Sequence, residues 1–246
     1  MSRTLEPSPA WFEIDPAFYA HGGSWFSEDE AAALGEPAGL RALVGPVTPE
    51  NQAEEALSLV NLRANVTAWS PSETAAERGR SLADAAGRTL AWQFGALEEL
   101  AARMPGSFDL VYHCWGGLAP DTDLDRYAAS IAVLLAPGGR LVLYDRHPFA
   151  NVVGLHKGLL VVARGYFPFR PGDNPWTLGD LLTALADAGL ALELLDEFPG
   201  SERYRTATDS LPGLQWELRF RVPSAMLLTA VLAFYHEPVA GHPPTG

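Results

Sequence analysis

Between Leu40 and Phe234, short apolar runs alternate with longer runs whose apolar residues recur every three or four positions. A short apolar run bounded by turn residues reads as a buried strand, and the longer period reads as a helix. Strands are expected at Leu40–Val44, Asn65–Trp69, Thr89–Phe94, Phe108–Tyr112, Arg140–Asp145 and Leu190–Leu195. Helices are expected at Ala53–Leu62, Ser72–Ala86, Leu124–Leu135 and Thr177–Ala188. Strands separated by helices can pair in parallel, because each helix supplies the crossover. The pattern therefore predicts an α/β fold with a mainly parallel sheet. Two late runs, Gln215–Val222 and Ala225–Phe234, can form an antiparallel pair, which makes the last strand antiparallel.

The remaining segments frame one domain over residues 11–235. Trp11 to Phe26 is rich in aromatics and broken by His21-Gly22-Gly23. Ser27 followed by Glu30 has the spacing of a capping box, so a helix begins there. Together these make an amino-terminal cap, residues 11–39. Residues 150–176 break the rhythm with aromatics, prolines and glycines, and read as an insertion or lid. Residues 1–10 read as a loose tail, and the proline-rich 236–246 as disordered.

Charge excludes several partners. The net charge is −13 and the sequence pI about 4.8. Nucleic acid is not an expected partner, because phosphate binding needs clustered Lys and Arg. An anionic membrane is not expected either. Cys114 is the only cysteine, so no internal disulfide forms. No amino-terminal signal pattern is present, and the apolar run Ala225 to Tyr235 falls short of the ~20 residues that span a bilayer. A cytoplasmic protein is expected. Lys157 is the only lysine, as in proteins from GC-rich genes. No Cys-x-x-Cys or His-Glu-x-x-His spacing occurs, and no metal is expected.

Three ordered stretches resemble one family. Phe108-Asp109-Leu110-Val111-Tyr112 resembles the fourth strand of class I S-adenosylmethionine (SAM)-dependent methyltransferases. Leu134-Leu135-Ala136-Pro137-Gly138-Gly139-Arg140-Leu141-Val142-Leu143 resembles their helix, turn and fifth strand. Asp145-Arg146-His147-Pro148-Phe149, followed by Trp176-Thr177-Leu178-Gly179-Asp180-Leu181-Leu182, is similar to a small-molecule subgroup, as is the aromatic-Gly-Gly-Ser stretch Phe18–Ser24. The resemblance implies a Rossmann-like, seven-stranded sheet with an antiparallel last strand. It also implies a small-molecule substrate under the cap.

The parts that hold SAM in that family are altered here. The turn after the first strand needs glycines so that backbone can approach the ligand. It has only Gly45, followed by Pro46 and Pro49, which lack N–H donors, and by Glu50, Glu54 and Glu55. Ser70 stands where an acid would hold the ribose hydroxyls, and Gly95 near where an acid would meet the adenine. Glu98 and Glu99 are not in register to replace it. If SAM binds, Gly45, Ser70 and Gly95 are its positions. The expectation is that ordinary SAM binding is lost and no cofactor is used.

The carboxyl edge of the expected sheet still carries reactive groups. His113, Asp145 and His147 follow the fourth and fifth strands, where α/β folds bind ligands. Histidine exchanges protons near neutral pH, so these three are the candidate catalytic residues. The alternative for His147 is a bond to backbone beside Pro148, for Asp145 a turn cap, and for His21 a plain surface-loop position. Cys114 reads as a small core residue. His21, Tyr19, Trp115, Tyr166 and Trp176 are the candidate substrate contacts, with Trp25, Phe167 and Phe169 as further aromatics. Three functions fit: a repurposed enzyme of secondary metabolism catalysing a SAM-independent cyclisation, elimination or isomerisation; a SAM-dependent small-molecule methyltransferase with an atypical cradle; or a non-catalytic subunit. A homodimer, or pairing with an active homologue, is compatible with all three.

Overall fold

Polar side chains start the helices where the sequence places them. The computed structural model describes residues 15–48, 51–157, 159–170, 174–199 and 223–233. Asp15 caps α1 (Pro16–Ala20), and Ser27 with Glu30 closes a full capping box on α2 (Glu28–Leu34). After β1 (Arg41–Gly45) comes α3 (Glu54–Asn61). β2 (Asn65–Ser70) leads into α4 (Glu73–Ala85), capped by Ser72. β3 (Ala91–Phe94), α5 (Leu97–Arg103) and β4 (Phe108–His113) follow. Asp123 caps α6 (Leu124–Leu134), which runs directly into β5 (Leu135–Arg146). These side-chain oxygens satisfy amide donors that a helix start leaves unpaired.

The insertion contains a structured hairpin. A 3-10 turn, Pro148–Asn151, precedes β6 (Val153–His156) and β7 (Leu159–Val162), which pair antiparallel. Thr177 and Asp180 then form a second capping box, on α7 (Leu178–Asp187). β8 (Leu190–Phe198) and β9 (Ala225–Leu232) complete the chain.

Seven strands form one sheet in the order β3-β2-β1-β4-β5-β9-β8. β1 to β5 pair in parallel. β9 runs antiparallel to both β5 and β8. This is the Rossmann-like sheet of class I methyltransferases, with the antiparallel last strand as expected. β3 begins at Ala91, two residues later than expected, and β5 begins at Leu135, five residues earlier. β9 lies between β5 and β8. The other late run, Gln215–Val222, falls outside the described residues, as do the two tails.

Period-two alternation sends successive side chains to opposite faces. Ala42, Val44, Leu110, Tyr112, Val142 and Tyr144 join the cluster under α2, α3 and α4. Leu43, Val111, Leu141 and Leu143 join the cluster under α5, α6 and α7. The sheet is thus buried on both sides, as a parallel sheet must be.

The cap corrects one expectation. Asn61, at the end of α3, donates to Tyr19 O and Gly23 O. Arg88, just before β3, donates to Tyr19 O and Ala20 O. Both donors lie at the amino ends of the parallel strands. His21 and Tyr19 therefore sit at the opposite end of the sheet from His113 and Asp145. Tyr19 is fully buried as core, and the exposed His21 ring bonds Ala17 O.

The rest of the cap is tied to β4 by a buried acid. Glu30, with no exposed surface, accepts from Ser27 N–H, the Ser27 hydroxyl and the Tyr112 hydroxyl. Tyr112→Phe removes a donor from this buried carboxyl and is expected to cost about 1–3 kcal/mol of stability in urea denaturation.

Candidate functional site

Three of the expected site residues lie at the carboxyl edge, but they form two separate groups. Alternation puts His113 and Asp145 on the α6 side of the sheet. His113 Nε2 lies 3.2 Å from Asp145 Oδ2, and Tyr127 on α6 lies 2.9 Å from His113 Nδ1 through its hydroxyl. Tyr127 O–H donating to Nδ1, with Nε2–H donating to Asp145, satisfies all three groups with a neutral ring. Burial, and then the Asp145 charge, push the Tyr127 phenol well above its ordinary range. It stays protonated and serves as the donor.

Asp145 spends its oxygens on the protein. Oδ1 accepts from Gly116 N–H at 2.7 Å and Arg146 N–H at 2.7 Å; Oδ2 accepts from Leu118 N–H at 2.8 Å. The carboxylate is 1% exposed and His113 2%. Gly117 shows how tightly this loop is folded over them. A Cβ on Gly117 would sit 2.4 Å from His113 Nε2 and 2.6 Å from Pro46 Cδ. Asp145 thus holds the loop after β4 through backbone N–H groups, its turn-capping alternative, while His113 bonds side chains, those of Asp145 and Tyr127.

His147 stands apart. Its Nδ1 accepts from Phe149 N–H at 3.0 Å and so caps the 3-10 turn. That leaves the proton of the neutral ring on Nε2, which lies 2.8 Å from Glu197 Oε1 on β8 but is misaligned for a hydrogen bond. Its side chain is 4% exposed, and that of Glu197 is 50% exposed. Burial holds the His147 pKa below its usual value, against the opposing pull of Glu197. His147 and Glu197 form the one pair of candidate groups here with a member reaching solvent.

The SAM positions are filled by the chain itself. Val47 N–H donates to Trp69 O at 2.7 Å, and the Ser70 hydroxyl donates to Val47 O at 2.7 Å. This laces the loop after β1 onto the end of β2. Asn51, fully buried, donates to Pro46 O and Trp115 O, both at 3.0 Å, which laces it onto the loop after β4. Asn51 Oδ1 accepts from Thr48 N–H at 3.3 Å. Ala53 turns the chain into α3 with φ of 64°, a conformation usually left to glycine. Gly45 does not open space for a ligand: its Cβ position lies 2.5 Å from Trp69 O. Gly95 O accepts from Trp69 Nε1. Glu54 and Glu55 are buried in the first turn of α3, so the helix start faces carboxylates of its own. These residues do not fit SAM as they stand.

The remaining candidates divide between core and lid. Trp115 is 2% exposed and packs on Tyr144, with the Arg146 guanidinium 5.9 Å from its ring centre. Trp176 is buried and donates to Ala119 O. Tyr166 is half-buried and its hydroxyl accepts from Leu178 N–H at the start of α7. Cys114 is buried core. A shallow groove of about 440 Å³ borders Pro16, Gln52 and Leu82, on the helical face and away from the His147 edge. Among the described residues no cluster of three His, Cys, Asp or Glu side chains is placed to hold a metal, and no helix is long and apolar enough to cross a membrane. Tyr127, Asn51 and Glu197 had no signal in the sequence; each acquires its role from a partner distant along the chain.

The class follows from the sheet order and from solved structures. A SAM-dependent methyltransferase from Mesorhizobium loti superposes with a TM-score of 0.59 at 23% identity, covering 81% of this chain and 94% of that one. The [4+2]-cyclase SpnF superposes with a TM-score of 0.59 at 16% identity, covering 90% and 86%. Geranyl diphosphate methyltransferase, solved in complex with SAM, gives 0.59 at 14% identity, covering 87% and 85%. The protein has the class I methyltransferase fold. No family model matches the chain. Among curated proteins, the phosphatidylglycerol–prolipoprotein diacylglyceryl transferase of Bradyrhizobium diazoefficiens is 32% identical over 43% of this chain and 43% of its own length. The chain thus spans less than half of that relative.

The His147 geometry gives a pH test. Its folded pKa is lowered, so the unfolded chain binds the proton more readily. The stabilisation is present above the unfolded value of about 6.5 and is lost as pH falls from there through the folded pKa. His147→Asn keeps a capping oxygen but removes the titration. Melting temperature is expected to fall between about pH 7.5 and 5.5 in the parent, and less steeply in His147→Asn.

Proposed function

We propose that this protein is a methyltransferase-fold enzyme of small-molecule, secondary metabolism that works without SAM. The observation that carries the reading is Asn51. Its one side chain bonds the loops after β1 and β4, across the space that separates them in a ligand cradle. A cradle closed by its own backbone and a buried amide must lose three hydrogen bonds before a ligand enters. Each of these is worth about 0.5–1.5 kcal/mol net, and more if a partner is left buried and unpaired.

The chemistry then falls to the lid side of the edge. None of cyclisation, elimination or isomerisation needs a group supplied by a cofactor; a [4+2] closure needs only its reacting ends aligned, and an elimination or isomerisation needs a proton moved. His147 with Glu197 is suited to this. Glu197 reaches solvent, and the buried ring holds its proton on the nitrogen facing it. The fold also accommodates ring closure, since SpnF is a [4+2]-cyclase. A solved relative concerned with converting a disulfide into a thioacetal during echinomycin biosynthesis extends the range of chemistry on this scaffold. His113 and Asp145 position the loop that borders this edge. The burial of the His113–Asp145 pair also favours a second reading, a non-catalytic subunit.

Calorimetric titration with SAM and S-adenosylhomocysteine distinguishes these from an ordinary methyltransferase. No binding is expected up to ~1 mM ligand, weaker than about −4 kcal/mol. A Kd near 1 μM, about −8 kcal/mol, sinks the proposal and promotes the SAM-dependent alternative. In a turnover assay with the enzyme's substrate, Glu197→Gln is expected to lower the rate about 10²–10⁴-fold. It sits at a half-exposed position where folding is not at stake; full retained activity places the proton transfer elsewhere.

A further inference from the structure

The lid carries the opposite charge to the rest of the chain. Residues 150–176 hold three cations (Lys157, Arg164 and Arg170) and one of the chain's 30 Asp and Glu residues, Asp173, with Arg146 shortly before them. The whole chain has a net charge of −13. The lid therefore carries a local excess of positive charge, with Glu197 at its root beside His147.

The same segment exposes apolar surface. Among the described residues, Val162 is 68% exposed, Phe167 56% and Phe169 85%. The aromatic rings make a continuous ladder. Phe149 meets Tyr166 at 5.8 Å between ring centres, Tyr166 meets Phe167 at 5.3 Å, and Phe167 meets Phe169 at 5.9 Å. The inner end is fixed, because Tyr166 bonds the start of α7 and Phe149 follows the His147 turn. Arg164 is tied through its backbone to Val152 O, and Asn174 N–H bonds Gly165 O. Rings therefore lead from the His147–Glu197 pair out to solvent, with Arg164 and Arg170 beside them in the chain.

Exposed rings on their own are an interaction surface without a named partner. Rings with Lys157, Arg164 and Arg170 near them in the chain select for a ligand with both an apolar body and negative charge. We infer that the lid binds a soluble amphipathic organic anion, a carboxylate, phosphate or sulfonate on an aromatic or extended apolar body, and delivers it to the His147 edge. A two-fold dimer through this face would set the cations of one copy against those of the other, so charge disfavours that occupant. The inference rests on the lid edge being the substrate face, as proposed above, and names the class of substrate.

Fluorescence titration tests it with 1-anilinonaphthalene-8-sulfonate and its uncharged counterpart N-phenyl-1-naphthylamine. The anion is expected to bind saturably and about tenfold more tightly than the neutral probe at low salt. Lys157→Gln with Arg164→Gln should weaken the anion about three- to tenfold and leave the neutral probe unchanged. Phe167→Ser with Phe169→Ser should abolish binding of both. All four side chains are exposed, and an unchanged thermal melt verifies the fold. Equal affinity for the two probes overturns the inference, as does binding that survives loss of both rings. Binding to phosphatidylglycerol vesicles without binding of the soluble anion makes the lid a membrane face and also overturns it. A dimer that dissociates on Phe167→Ser with Phe169→Ser, again without anion binding, overturns it in favour of a second copy. Neither probe reports on SAM, so failure here leaves the closed cradle standing, and SAM binding would leave the lid result standing.

Discussion

The Asp145 carboxylate organises the carboxyl edge of the sheet. A carboxylate 1% exposed to solvent is tolerable only when donors replace its water. Asp145 finds them in three backbone N–H groups and the His113 ring, and His113 in turn is fixed by Tyr127. Two of the donors, Gly116 N–H and Leu118 N–H, come from the loop after β4, so satisfying the acid also folds that loop down over the strand ends. Once Gly117 lies against His113 and Pro46, the loop after β1 has little freedom left.

The closed cradle is the second consequence. Asn51 and Ser70 fasten the loop after β1 to its neighbours on both sides, and Val47 is buried completely beneath it. In a ligand-binding cradle a missing Cβ leaves room for the ligand. Here the room at Gly45 is taken by the Trp69 carbonyl, and that at Gly117 by the His113 ring. Fold and cofactor site are thus separable. The crossover helices and the sheet need only the buried alternation, whereas the cradle needs a few open backbone positions.

With one side of the edge filled by its own loops, the other side carries the His147–Glu197 pair. His147 and Glu197 meet from β5 and β8 across the end of β9, with Glu197 half-exposed to solvent. The pair tends toward a neutral imidazole because burial outweighs the attraction of Glu197. It lies at the root of the aromatic, cation-bearing lid, so the proposed proton transfer and the exposed rings fall on the same side of the molecule.

Strand alternation, helix caps and the order of elements were legible in the sequence, because they depend on residues a few positions apart. The capping boxes at Ser27 and Thr177 are visible as four-residue patterns, and both form. The shared face of His113 and Asp145 follows from period two and the pairing of His113 with Leu143. The departures at Gly45, Ser70 and Gly95 were also visible, but not the contacts that fill those positions. Asn51 lies 64 residues from Trp115 in the chain, and Tyr127 and Glu197 likewise become partners only when distant elements pack. The cap shows the same limit. Its aromatic-Gly-Gly-Ser pattern suggested a cover over the site, yet Asn61 and Arg88 hold it at the other end of the sheet. Local pattern determined which elements form; long-range hydrogen bonds, which no spacing encodes, decided which end of the sheet is closed and which remains open.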